Sequence, residues 1–188
     1  MIAPMTATAA LRMEHAVILE ALDVLEAAAE RCAGAEPPPD AAWAALMDWL
    51  RSFADARHHG KEERLLFPAL EAAGVPRAGG PIEVMLEEHD LGRGLVRAMG
   101  EAPPAQRRER AREYVRLLRA HIAKENEILF DLADAVLDPP AVDALVRAYA
   151  AADLEQGAPP APAAAEAALE RLAATLTGAI GKTKLVLT

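Results

Sequence analysis

Two stretches of this chain repeat one another, HHGKEERLLF at 58–67 and HIAKENEILF at 121–130. Each is preceded by a fainter pair, EHAVILEAL at 14–22 and EHDLGRGLV at 88–96. His58, Lys61, Glu62, Leu66 and Phe67 thus stand over His121, Lys124, Glu125, Leu129 and Phe130, and His15 stands over His89. A chain made of two copies of one helix pair has few ways to bury its apolar faces. Side-by-side packing of four helices is the simplest of them.

The spacing of apolar residues supports this. Leu11, His15, Ile18, Leu22 and Leu25 share one helix face between Thr6 and about Cys32, and prolines 37 to 39 end that helix. Asp40 is placed to cap a second helix, whose stripe runs through Trp43, Met47, Leu50, Ala54, His58, Glu62, Leu65 and Ala69. Gly60 weakens that helix, and Pro68 should kink or end it. Pro81 opens a third helix carrying Ile82, Met85, Leu86, His89, Val96 and Met99. A fourth begins after Pro103–Pro104, carries Tyr114, Leu117, Leu118, His121, Glu125, Ile128, Leu129 and Leu132, and ends before Pro139–Pro140. The expected fold is all-α, an up-down-up-down antiparallel four-helix bundle with one or two short extra C-terminal helices. One of these is expected at about 140–154 and one at Glu166 to Thr177. Residues 1–155 form the expected domain, and 156–188 supply a linker, GAPPAPAAA, and a tail, IGKTKLVLT.

Composition removes several function classes. With 53% hydrophobic letters in 188 residues the chain can bury a core, and aromatics at 4% favour helices over a β-sandwich. Twenty basic against 29 acidic residues leave a net charge of −9, which repels phosphate backbones and argues against nucleic acid. Cys32 is alone, so neither a disulfide nor a thiolate metal site is available within the chain. No leader and no long apolar run are apparent. The expectation is a cytoplasmic protein without membrane contact, able to form a homodimer.

The histidines carry the chemistry. Residues four apart on a helix share a face, so His58 with Glu62, and His121 with Glu125, can each reach one metal region. With His15 and His89 on the facing helices, four imidazoles and two carboxylates converge on the interior. Buried carboxylates cost several kcal/mol unless paired or bound to a cation, and no lysine or arginine lies beside them on these stripes. A pair of divalent cations bridged by Glu62 and Glu125 answers that cost. Nitrogen and carboxylate donors without thiolate suit iron, manganese or zinc. The Glu-x-x-His pairs of ferritin-like bundles are missing, as is the His-Glu-x-x-His of zinc proteases.

HHGKEERLLFP, EEHD and HIAKENEILF, in this order, resemble the helix-borne motifs of the haemerythrin-like family, also called the HHE cation-binding domain, over about residues 8 to 137. The resemblance implies a non-haem di-iron centre with His15, His58, Glu62, His89, His121 and Glu125 as metal ligands. Oxygen carriers of that family place a second histidine on the third helix, where this chain has Met85 and Arg93 on either side of His89. They also place an aspartate five residues after the last histidine, where this chain has Asn126. A missing fifth histidine would leave one iron more open. That implies reaction with oxygen, peroxide or nitric oxide in sensing, detoxification or iron handling, rather than oxygen storage. An iron donor for repair of damaged iron centres, and a structural or interaction bundle without metal, are the alternatives.

The remaining polar residues receive blander assignments. His59 and Glu63 share the His-x-x-x-Glu spacing and could be ligands in place of His58 and Glu62, but they align with Ile122 and Asn126, which places His59 behind the ligands, orienting them, or at the rim of the site. Glu14 and Glu88, one residue before His15 and His89, could accept an N–H from a ligand imidazole but are read as solvated. Tyr114 could donate to a bound ligand or line the entry but is read as core, as are Trp43 and Trp49, and Cys32 is read as a surface or end-of-bundle thiol about 25 Å from His15 along a helix. The basic run 107–116 is a solvated face, and Lys182 and Lys184 are too few for a membrane.

Overall fold

A computed structural model describes residues 6–155 and 162–177 of the chain. Every regular element among them is helical. We number six helices: α1, Ala9–Cys32; α2, the continuous run 40–72; α3, Pro81–Glu101; α4, the run 104–136; α5, Pro139–Glu155; and α6, Pro162–Leu176. Four of them open on a proline, whose fixed φ suits the first helical position and whose missing N–H has no partner there in any case. Asp40 is the first residue of α2 rather than its cap. Pro39 precedes it with extended backbone, and the Asp40 carboxylate pairs with Arg107 at 2.8 Å.

Neither Gly60 nor Pro68 breaks α2. The helix widens instead, closing π-helical turns over Leu50–His59 and Glu62–Leu66 before returning to α geometry at Phe67–Ala72. A proline ring inside an α-helix collides with the carbonyl four residues back, and a wider turn immediately upstream opens that space. α4 widens at the matching place, Glu125–Leu129, between α segments Pro104–Lys124 and Phe130–Val136.

The apolar interior is split in two. One cluster gathers Ile18, Leu22, Leu25, Trp43, Leu46, Met47, Phe53, Val96, Met99 and Leu118, and the other gathers Leu11, Leu66, Phe67, Leu70, Ile82, Met85, Leu129 and Phe130. On α1, α2 and α3 a histidine separates the two sets of residues, and on α4 the turn from His121 to Glu125 does so, with Ile122 still in the first cluster. α1 and α3 pass from the second cluster to the first, and α2 and α4 pass the other way. A buried polar layer therefore lies across the middle of the molecule.

The C-terminal helices bear on this core. α6 begins at Pro162, four residues ahead of the expected Glu166, and buries Ala165, Leu169 and Leu176 in the first cluster. Trp49 donates its indole N–H to the Ala165 carbonyl at 3.1 Å, and Arg31 donates to the Leu176 carbonyl. Trp43 is core, as expected, and donates to the Met99 carbonyl at 3.0 Å. Residues 157–161 of the GAPPAPAAA stretch, the IGKTKLVLT tail and both Lys182 and Lys184 lie outside the described residues. Of the basic run 107–116, Arg107 is buried rather than solvated, its guanidinium 5.1 Å above the Trp43 ring. No helix among the described residues is long and apolar enough to cross a membrane.

Candidate metal centre

All six residues expected to hold metal converge on the polar layer, each about 1% exposed or less. Two groups of ligand atoms form there: His15, His58, Glu62 and Glu125 in one, and His59, Glu62, His89 and His121 in the other, with the atoms of each group within 4.8 Å of one another. We call them the two-imidazole and three-imidazole cages.

Glu62 belongs to both. Its Oε1 lies 3.5 Å from His58 Nε2 and its Oε2 lies 3.5 Å from His89 Nε2, so one oxygen faces each cage. Glu125 also lies between them, its Oε2 being 3.1 Å from His15 Nε2 and 3.3 Å from His121 Nε2. Both Glu62 oxygens and Glu125 Oε1 are buried without any hydrogen-bond partner. A carboxylate stripped of water and donors is costly, and a cation between the two side chains would satisfy these lone pairs. Burial together with the neighbouring Glu125 and Glu14 charges pushes the Glu62 carboxyl well above the usual range. For Glu125, burial works in the same direction, but His121 and His15 outweigh it and hold the carboxyl down.

His59 is where sequence reasoning fails. It is buried and stands in the three-imidazole cage, stacked on His89 with ring centroids 3.9 Å apart. The rim position expected for His59 is therefore corrected: a fifth imidazole stands in the polar layer, brought by α2 next to His58 and not by α3. Successive side chains on an α-helix diverge by about 100°. The widened run ending at His59 narrows that angle, so two adjacent histidines both turn inward. α4 is α-helical through Lys124, and there Ile122, the counterpart of His59, joins the apolar cluster.

Each of the other four imidazoles turns Nε2 inward and is held from behind at Nδ1. His15 meets Asn126 Oδ1 at 2.9 Å, His58 meets Glu14 Oε2 at 3.1 Å, His89 meets Glu63 Oε1 at 2.8 Å and His121 meets Glu88 Oε2 at 3.0 Å. These contacts fix the tautomer that presents Nε2 to a metal and strengthen it as a donor. Glu14 and Glu88 are thus not solvated: Glu14 is 1% exposed, and the Glu88 side chain only 16%. The repeat contained the signal, because each glutamate precedes a histidine by one residue and meets the histidine and lysine of the following helix. Lys61 donates to Glu14 at 2.7 Å, and Lys124 donates to Glu88.

Around Glu14 the charges are buried and closed. Arg57 and Lys61 both donate to its Oε1, and both also pair with Asp153 of α5 at 2.8 Å. Burial alone would raise the Glu14 carboxyl, but His58 and Lys61 bring it down to about 2. Burial and the nearby His15 charge lower His58 to about 4, which keeps it neutral and able to ligate at neutral pH. Phe130 stacks on His15 at 5.2 Å and closes the two-imidazole cage on that side. Cys32 is buried at the far end of α1, in the apolar cluster with Trp43, and takes no part.

The family model for the Hemerythrin HHE cation binding domain matches residues 6–133, more than half of the chain. A curated relative, the iron-sulfur cluster repair protein YtfE of Musicola paradisiaca (strain Ech703), is 38% identical over 90 residues, which is 42% of this chain. The match spans 40% of that protein's length. No solved structure matches.

Proposed function

Because the chain belongs to the hemerythrin HHE cation-binding family, we propose that it is a non-haem di-iron protein that reacts with a small oxidant such as oxygen, peroxide or nitric oxide. The helices are read as an up-down-up-down four-helix bundle within residues 1–155, and 156–188 as an appendage that α6 fastens to α1 and α2. Glu62 carries the proposal: a fully buried carboxylate with one oxygen toward each of two histidine-lined cages and no protein donor for either. The donor set of five imidazoles and two carboxylates fits iron, and the family favours it over zinc or manganese.

When bound, the metal pair would supply Lewis acidity and electron transfer to the oxidant. The protein's part is positional. Glu62 and Glu125 span the cages, the Nδ1 partners hold four rings in orientation, and the two apolar clusters above and below the polar layer keep bulk water out. The two-imidazole cage has one protein nitrogen fewer than its neighbour, so a small exogenous ligand has room there. This reverses the sequence-based reason for an open iron while leaving an open position in place.

Metal analysis and absorption spectra of the reduced protein, before and after exposure to air, test the proposal. Iron near two per chain with new visible bands in air is the expected result. A chain whose melting and metal content are both unaffected by chelator would instead be a structural bundle. A second reading, an iron donor for damaged iron centres, is favoured by the name of the YtfE relative. Its test is transfer of iron from the loaded protein to an apo acceptor protein. A cytosolic setting suits either reading.

A further inference from the structure

Four of the five imidazoles at the centre have a partner at Nδ1, and His59 has none. Its Nδ1 is buried without a hydrogen bond, and the nearest carboxylate oxygen, Asp55 Oδ1, stops 3.7 Å away. Asp55 is held off by Arg93, whose Nε donates to that same oxygen at 2.8 Å. Behind this gap lies a cavity of about 350 Å³ between α2, α3 and α4, with His59 and Asp55 in its wall.

The lining is amphipathic. Leu50, Val96 and the buried ring of Tyr114 form the apolar side, and Gly92 leaves the space open, since a Cβ there would meet nothing closer than Tyr114 at 3.7 Å. The polar side has three guanidiniums, Arg51, Arg93 and Arg97, against the single carboxylate of Asp55. Arg51 pairs with Asp48, and Arg93 is taken up by Asp55, Glu63 and Asp90. Arg97 lines the cavity and pairs with no carboxylate among the described residues. Two of the three guanidiniums are thus neutralised by carboxylates, and Arg97 is the one left to meet an anion, at a pocket large enough for a small organic molecule.

We propose that this cavity binds a small carboxylate with a short apolar body. Its carboxylate pairs with Arg97 and competes with Asp55 for Arg93, and its apolar part lies against Leu50, Val96 and Tyr114. Released from Arg93, Asp55 closes on His59 Nδ1 and gives the fifth imidazole the support that Asn126, Glu14, Glu63 and Glu88 give the others. A bound anion thereby changes the donor strength of one ligand of the three-imidazole cage without touching the metal. The coupling to the centre rests on the metal reading above, and binding in the cavity does not.

Titration calorimetry of the metal-loaded full chain with butyrate, acetate and inorganic phosphate tests this. Butyrate is expected to bind most tightly. Arg97→Gln, an exposed change, and Gly92→Leu, which fills the cavity, should each weaken butyrate at least tenfold while leaving metal content unchanged. Butyrate should also shift the absorption bands of the loaded wild type and leave those of Asp55→Asn in place. Equal butyrate affinity in wild type and both cavity variants, or no saturable binding, would overturn the proposal. So would phosphate binding tighter than butyrate. Unmoved bands in wild type would overturn the coupling alone. A chain that takes up no metal would sink the metal reading, and calorimetry would still report on the cavity.

Discussion

The two copies of the helix pair build the same frame and then part at one position. In the first copy Glu14 supports His58 and Lys61; in the second Glu88 supports His121 and Lys124. Across the copies, Asn126 supports His15 and Glu63 supports His89. The histidines of the first copy make one cage and those of the second make the other, with Glu62 and Glu125 between. Only His59, standing where the second copy has Ile122, breaks the pairing, and it joins the opposite copy's cage. A symmetric scaffold thus yields two unequal groups of ligand atoms, and under the proposed two-metal reading that inequality would let one metal stay open while the other is held.

Removing what both cages share tests this likeness most severely. Glu62→Ala should abolish most metal binding in both, measured as metal per chain after loading. Next, His59→Ile makes the copies alike at the position where they differ. It should cost the cation of the three-imidazole cage and spare the other, whereas His58→Ala should do the reverse; full metal content in either variant would break the assignment. The supports come third. Glu14→Gln and Glu88→Gln should each weaken metal binding about 10–100-fold, read by competition with a chelator.

Glu14→Gln should also lower stability by about 3 kcal/mol, because it strands the buried Arg57 and Lys61, while the more open Glu88 site loses about 1 kcal/mol or less. Acid should bring out the same inequality. The Glu14 carboxyl is depressed from 4.5 to about 2 in the fold. Its stabilisation is therefore complete above about 4.5 and disappears as pH falls toward about 2. Melting of the metal-free protein should show that loss, and Glu14→Gln should not. The smallest effect expected is that of Lys124→Ala, whose side chain is 36% exposed: under about 1 kcal/mol by denaturant titration, against several for Lys61→Ala.

Much of this was readable in the letters because burial and function used the same spacing. Apolar stripes at helical period located α1 to α4, and the repeat located His15, His58, Glu62, His89, His121 and Glu125. What escaped did so for two physical reasons. A stripe reports which side of a helix is buried and not what the next helix brings, so Glu14 and Glu88 looked like solvent-facing neighbours of ligands. Alignment of the copies also assumes one regular helix geometry. His59 was set aside because Ile122 could not match it, yet α2 is wider than α4 at that point. A second widening, over Glu62–Leu66, carries α2 past Pro68, where a regular helix would stop.

The wide turns also determine how these rods tolerate editing. A loop of backbone that closes over five residues holds one more than the ordinary coil requires, and losing that surplus lets the coil tighten without re-aiming the turns downstream. A one-residue deletion at Glu125–Leu129 or within Leu50–His59 should therefore cost distant packing little. The same freedom makes the number of inward-facing imidazoles adjustable by one residue of chain length, a route by which such a centre could gain or lose a ligand without any substitution at the ligands themselves.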